Sequence, residues 1–478
     1  MKKWINTGLL LISIGAGLQS QNTLKHRMQD ILESGLWGKA EAGIHVINDQ
    51  GEVLFSKDPG RKMTPASALK LITSWTLLDI KGWNFKYATT IYHNGSIAQD
   101  GSLTGDLIIR GSGDPTLGSP REEVGRNLDR LLDEIVEMVK KQGIQCIDGN
   151  ILIYNGPFDE EAAHPSWAWN DVGNYYGGGV YGLNIHENEY SIYFDREKPE
   201  GSQAMIVKHE PAIEKLTFDN YVTVAGRNTG DQAYIFGGQG FFHKIIKGTV
   251  PRGKGEFVIR GSMPNPPSFF AETLKKALDQ AGISAEGAYV KWKIEEESLK
   301  ILGAIASPPL STLVSLNNAF SINLYSEAFL KTLAKDGTRK DGIKRIYEHL
   351  QSEGLNVNGL LMVDGCGLSL SNAVAPEFFT SFLLHYLKKW EKKPYHTTLP
   401  RPGNEGTMKY FLNGSKAGTS MWVKSGYISG VLSYAGWMEN EKGKRVIFSI
   451  MVNHIDVPAS NIRKNIELLL ENIYYHSN

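Results

Sequence analysis

The spacing of apolar residues divides the chain into stretches of different texture. Thr23 to Leu36 has helical periodicity, and Gly43 to Phe55 alternates apolar and polar positions around Asn48-Asp49-Gln50-Gly51, which predicts a hairpin. A helix start follows: Thr64 suits the cap, Pro65 the first helical position, and an almost unbroken apolar run continues to Leu78. A helix apolar around most of its circumference belongs inside a core. From Tyr87 to Pro264 the pattern changes to short strands and glycine turns, interrupted by one helical segment, Asn127 to Gln142. Helical spacing returns at Ser268 to Ala281, Leu313 to Ala334, Gly342 to Glu353 and Pro376 to Lys392. Three strands are then predicted at Ser420 to Tyr427, Val431 to Met438 and Arg445 to Val452, before a last helix from Ala459 to Tyr475.

This order predicts an α+β fold: an antiparallel sheet flanked by helices, split in sequence by a large, mainly β insertion. The expected divisions are a signal segment at 1–20, a first part at 21–86, an insertion at 87–265 with room for one or two subdomains, and a second part at 266–478. Lys2 and Lys3 followed by the apolar run Leu9 to Leu18 read as a secretory signal, too short to span a bilayer as a mature helix, with cleavage near Ser20 and Gln21. The mature chain is therefore expected to be exported, periplasmic or associated with the cell envelope, with no integral membrane span after signal removal. No cysteine lies near the cut to carry a lipid.

Composition narrows the chemistry. Lys plus Arg equals Asp plus Glu at 51 each, so no net field attracts polyanions and no nucleic-acid partner is expected. Cys146 and Cys366 are far apart in the chain and read as two buried free thiols. The chain has no CxxC, no HExxH and no Cys/His cluster, so neither a metal nor another cofactor is expected.

Ser67-Ala68-Leu69-Lys70 is the one S-x-x-K in the chain. Residues three apart share a helix face, which places the Lys70 amine beside the Ser67 hydroxyl. Near a helix start the backbone N–H groups lack intrahelical partners, so the same location offers half of an oxyanion hole. A free lysine is protonated at neutral pH and useless as a base, so the arrangement calls for burial and a second cation nearby. Ser321-Ile322-Asn323 at a predicted helix start pairs a hydroxyl with a carboxamide; Ser315-Leu316-Asn317 has the same spacing, and the spacing does not choose between them. Lys424-Ser425-Gly426 ends a predicted strand, where a cation, a hydroxyl and close backbone approach suit an extended peptide ending in a carboxylate. The Tyr427 N–H falls where a second oxyanion donor belongs.

The order S-x-x-K, S-x-N, K-[ST]-G marks the penicillin-recognising serine enzymes. Further stretches sharpen the likeness: Pro65-Ala66-Ser67 to Lys70, Gly105-Asp106-Leu107 through Gly113-Asp114-Pro115-Thr116-Leu117, Asp364-Gly365-Cys366-Gly367-Leu368-Ser369, and Gly406-Thr407-Met408 with Val423 to Gly426 and Gly430-Val431. Across most of its length the chain resembles the D-alanyl-D-alanine carboxypeptidase/endopeptidase family, the low-molecular-mass class C penicillin-binding proteins. The resemblance implies a β-lactamase/transpeptidase-like domain that acts on peptidoglycan stem peptides through an acyl-enzyme and takes β-lactams as covalent inhibitors. It implies that Ser67 is acylated and that Lys70 accepts its proton. It selects Ser321 over Ser315 as the proton shuttle, because Glu327 follows Asn323 by four residues, and gives Asn323 the substrate backbone. Lys424 and Ser425 are implied to hold the terminal carboxylate, with Lys424 also lowering the pKa of Lys70. In the Trp-rich loop from Trp167 to Tyr176, Asp171, with Tyr176, is implied to meet an amine on the substrate's third residue.

Three departures stand out. Ser425 replaces the usual Thr and keeps the hydroxyl, Tyr427 is bulky where the family has a small residue, and Cys366 replaces a serine. Two other functions share parts of the pattern. A β-lactamase is disfavoured because Tyr325 is in no Y-x-N and the insertion is large. An inactive peptidoglycan-binding scaffold is disfavoured because Ser67, Lys70, Ser321 and Lys424 are all present.

Overall fold

The computed structural model describes residues 23–294, 298–389 and 393–477. The expected signal segment at 1–20 lies outside the described residues, as does the end of the expected helix at 390–392. The chain forms two compact units, one within residues 1–80, 311–322 and 343–478, the other within 81–310 and 323–342.

The first unit is built on a five-stranded antiparallel sheet in the order Val53–Lys57, Glu41–Asn48, Arg445–Asn453, Val431–Glu439, Met421–Ile428. Two of its three hairpins show why they close where they do. Asn48 Oδ1 accepts from the N–H groups of Gln50 and Glu52, and Gly430 takes the left-handed conformation after Ser429. Residues Val431–Met438 and Val446–Asn453 are buried throughout, so side chains pointing to both faces are covered. On one face the helix Ala459–His476 and helical residues 23–33 place Ile462, Ile466, Leu469, Leu470, Leu24 and Met28 against Ile44, Val46, Phe448 and Ile450. Helix Pro376–Lys388 packs across Glu41–Asn48 and Arg445–Asn453. It stacks Phe382 on Trp75 and sets Tyr386 tilted against it, Trp75 belonging to the helix Lys70–Lys81, which is buried from Lys70 to Leu78. This α+β layering is the fold expected from the chain's pattern.

The second unit holds a mixed five-stranded sheet in the order Ala288–Lys291, Ile151–Tyr154, Leu107–Arg110, Ala88–His93, Lys300–Ala306. Two three-stranded sheets join it; in one of them Thr217–Ala225 runs parallel to His243–Pro251. Helices Leu128–Lys141 and Pro266–Gln280 are capped by Asn127 and Asn265, as polar residues before an amphipathic run should do. The unit does not follow the sequence boundary at 265. Phe270, Leu274 and Leu278 of the second helix enter the same core as Ile91, Leu107, Ile135 and Ile151, so residues up to 310 pack with the β-rich stretch before them.

Two local expectations change. The helical run Leu313 to Ala334 is two helices, Leu310–Phe320 and Asn323–Leu333, broken at Ser321, whose φ is +59°. Both thiols are free, but only Cys366 is buried; Cys146 is half-exposed on a short strand beside Asp148.

Candidate active site

The segment that carries Ser67 begins as a tight 3-10 turn, Ala66–Leu69, that passes into the α-helix Lys70–Lys81. Pro65 occupies the cap position without a side-chain bond, and Thr64 reaches toward the Leu370 carbonyl instead of capping. Ala66 sits at φ +45°, a conformation that costs an L residue about 1–3 kcal/mol and persists only where surroundings enforce it. The enforcing element is the loop Asp364 to Ser369. A Cβ at Gly367 would lie 2.0 Å from the Ala66 carbonyl oxygen, so glycine alone lets the loop press on that turn. Asp364 folds the loop by accepting from Gly367 N at 2.8 Å, Ser369 N at 2.7 Å and Asn372 Nδ2 at 2.8 Å.

That loop also aims the lysine. Lys70 Nζ donates to Ser67 Oγ at 2.9 Å and to the Cys366 carbonyl at 2.6 Å, while Thr73 Oγ1 donates to the Gly365 carbonyl at 2.8 Å. Residue 366 thus serves through its backbone oxygen, which explains how cysteine stands there without changing the geometry.

The edge strand Met421–Ile428 lies against the same turn. A Cβ at Gly426 would meet Pro65 O at 2.6 Å, Ala68 N at 2.8 Å and Ser433 Oγ at 2.3 Å, so close backbone approach accounts for the glycine. Ser433, opposite Gly426 in the ladder, ties the two together by donating to the Pro65 carbonyl. Lys424 is buried and donates to Ser321 Oγ at 3.0 Å and to the Ser425 carbonyl at 2.7 Å. Burial, and then the charge of Lys70, hold the Lys424 pKa well below the ordinary lysine value. Ser315, in contrast, is bonded back along its own helix to the Ser311 carbonyl at 2.9 Å. Of the two equally spaced serines, Ser321 is the one that contacts Lys424. Ser425 Oγ lies 2.9 Å from Thr407 Oγ1, and the Tyr427 side chain is exposed.

The remaining expected residues are gathered in the second unit. Asn323 opens the helix Asn323–Leu333 and donates through Nδ2 to the Tyr176 carbonyl at 2.7 Å. The Tyr176 hydroxyl donates to Asp171 Oδ1 at 3.2 Å, and burial raises the Asp171 pKa against the lowering effect of that bond. Two buried charge networks behind this helix have no counterpart in the sequence reading. Tyr325 donates to Glu187 Oε1 at 2.8 Å, which also accepts from Ser119 at 2.7 Å and Arg121 at 2.8 Å. Glu327, expected only as a family marker, accepts from Arg339 Nε at 2.6 Å. Glu187 is the middle of three consecutive left-handed residues, His186, Glu187 and Asn188, none of them glycine. No local sequence signal announces such a turn.

A serine hydrogen-bonded to a buried lysine, beside the edge strand of an antiparallel sheet backed by helices, defines a serine-type hydrolase of β-lactamase/transpeptidase-like fold. Residues 24–473 match the model of the D-Ala-D-Ala carboxypeptidase 3 (S13) family, and the chain belongs to that family. It is similar to D-alanyl-D-alanine carboxypeptidase DacB of Haemophilus influenzae, 26% identical over 416 residues covering 85% of this chain and 83% of that one. It is also similar to the D-alanyl-D-alanine carboxypeptidase of Actinomadura sp. strain R39, 24% identical over 455 residues, 91% of this chain and 82% of that one. Among solved structures, penicillin binding protein 4 (dacB) from Haemophilus influenzae shares the fold with a TM-score of 0.79 at 23% identity, covering 94% of this chain and 98% of that one. The chain is thus a serine-type hydrolase of the D-Ala-D-Ala carboxypeptidase family. No helix among the described residues is long and apolar enough to cross a membrane.

Proposed function

We propose that Ser67 is the residue acylated by the substrate and that Lys70 takes its proton. The observation that carries this is the pair of contacts made by the two buried lysines, Lys70 to Ser67 and Lys424 to Ser321. Ser67 Oγ attacks the carbonyl carbon of the penultimate D-alanine, and its proton passes to an unprotonated Lys70. As the peptide bond breaks, Ser321 delivers a proton to the departing amine of the terminal D-alanine, with Lys424 behind it. Water then attacks the ester and restores the Ser67 hydroxyl. The N–H groups of Ser67 and Tyr427 receive the developing oxyanion. Lys424 and Ser425 meet the terminal carboxylate, and Asn323 meets the substrate backbone. A β-lactam enters as the substrate does and stays on Ser67 as an ester. Stem peptides of peptidoglycan lie outside the cytoplasmic membrane, in keeping with the short basic and apolar N-terminal segment read as an export signal.

Intact-mass measurement of protein recovered from the periplasm after penicillin treatment tests both points. A penicilloyl adduct on the wild type and none on Ser67→Ala is the expected result, on a chain lacking about the first twenty residues. An adduct that persists on Ser67→Ala refutes the assignment.

The half-buried Asp171 carboxyl, held by Tyr176, is the proposed counter-ion for an amine on the third residue of the stem peptide. Asp171→Ala should lower kcat/KM about tenfold for a peptide bearing that amine relative to one in which it is acetylated. Equal effects on the two peptides would remove Asp171 from recognition.

A further inference from the structure

A carboxylate at the end of a peptide presents two acceptor oxygens and is held best by two donors set side by side. Ser425 supplies one hydroxyl. Lys424 donates to Ser321 Oγ at 3.0 Å and to the Ser425 carbonyl at 2.7 Å, so its ammonium has one N–H left for the carboxylate and a further hydroxyl donor is needed beside Ser425. The next residue after the glycine is Tyr427, whose side chain is 60% exposed and carries no hydroxyl near the backbone. The second hydroxyl in place is that of Thr407, from a separate segment, with its Oγ1 2.9 Å from Ser425 Oγ.

Thr407 is exposed, yet its neighbours on both sides are fixed. Gly406 takes φ +59°, and a Cβ there would lie 2.1 Å from the Ala319 carbonyl oxygen, so the segment is seated on the end of the helix that leads to Ser321. Met408, on the other side, is buried in the core beneath the sheet. A hydroxyl held between two anchored residues keeps its position while its O–H remains free to rotate.

We infer that Thr407 and Ser425 together form the receptor for the substrate's terminal carboxylate, the two hydroxyls exchanging their mutual hydrogen bond for one bond each to the carboxylate oxygens. Thr407 is a specificity-determining residue that supplies the second hydroxyl from a separate segment. The inference rests on the proposed role of Ser425.

The test compares kcat/KM for a D-Ala-D-Ala peptide with its C-terminal amide, using wild type, Thr407→Val, Thr407→Ser and Ser425→Ala. Thr407→Val should reduce the carboxylate-over-amide ratio about tenfold, chiefly through KM, since hydrogen bonds to a charged group are worth that much or more. Thr407→Ser should restore it. An unchanged ratio in Thr407→Val overturns the inference. If Ser425→Ala still loses the preference in that case, the Ser425 assignment stands and only the pairing is refuted; if Ser425→Ala keeps it, both fall.

Discussion

Ser321 holds a left-handed backbone conformation at φ +59°, which an L residue adopts at a penalty of about 1–2 kcal/mol. Nothing in its own side chain calls for this; the reward is position. With the chain broken there, the hydroxyl leaves the helical path of Leu310–Phe320 and reaches Lys424 Nζ, whereas Ser315, six residues earlier, stays bonded to its own helix. The two serines therefore make a controlled pair. Ser321→Ala should lower the rate of acylation by a fluorescent penicillin about a hundredfold, the scale of a lost proton-transfer group. Ser315→Ala should stay within about twofold of wild type. Ser321→Gly relieves the backbone yet lacks the hydroxyl, so it should raise the thermal midpoint while acylating as slowly as the alanine variant. A Ser321→Gly enzyme that acylates normally would show that the break, and not the hydroxyl, is what the site requires.

At the scale of elements, legibility followed from where the deciding atoms lie. The three closing strands were predicted within a residue or so of Met421–Ile428, Val431–Glu439 and Arg445–Asn453, because turn residues bracket them and their apolar runs are long. Helix Leu128–Lys141 was marked by Asn127. The Ser67–Lys70 contact was equally readable, since three residues make nearly one helical turn. What stayed hidden is carried by backbone atoms or by distant partners. The Cys366 carbonyl that steadies Lys70 has no residue signature, and Gly367 shows its purpose only once Ala66 is seen against it. The left-handed turn at His186 to Asn188 contains no glycine; Asn188 supports it by accepting from Ile185 N and donating to the Gly179 carbonyl. The grouping of helix Pro266–Gln280 with the preceding sheets is a choice among faces of similar hydrophobicity, which periodicity cannot make.

At the scale of the whole molecule, the unit that carries Ser67 is pinned at the far end of the helix Lys70–Lys81 by a single carboxylate. Asp79, with a side chain 5% exposed, accepts from His349 at 3.1 Å, Lys389 at 2.9 Å, Lys393 at 2.8 Å and the Tyr395 hydroxyl at 2.7 Å. One group thereby joins four segments that follow one another over more than three hundred residues. Lys389 also pairs with Glu353 at 2.6 Å, so this collection of acid and histidine side chains is already neutralised by lysines and leaves little call for a metal ion. Burial raises the Asp79 pKa, but the four donors outweigh it and hold the carboxyl well below its ordinary value of 3.8. A carboxyl with a depressed folded-state pKa contributes stability that is complete above the unfolded value and is lost as pH falls toward the folded one. Asp79→Asn removes the charge and leaves two part-buried lysines facing a neutral amide. It should destabilise the unit by about 3 kcal/mol at neutral pH, seen as a thermal midpoint several degrees lower. The gap between wild type and variant should be constant from about pH 8 to 5 and should narrow below about pH 4, as the wild-type unfolded state takes up its proton. A deficit that stays constant down to pH 3 would mean that packing, not charge, is what Asp79 supplies.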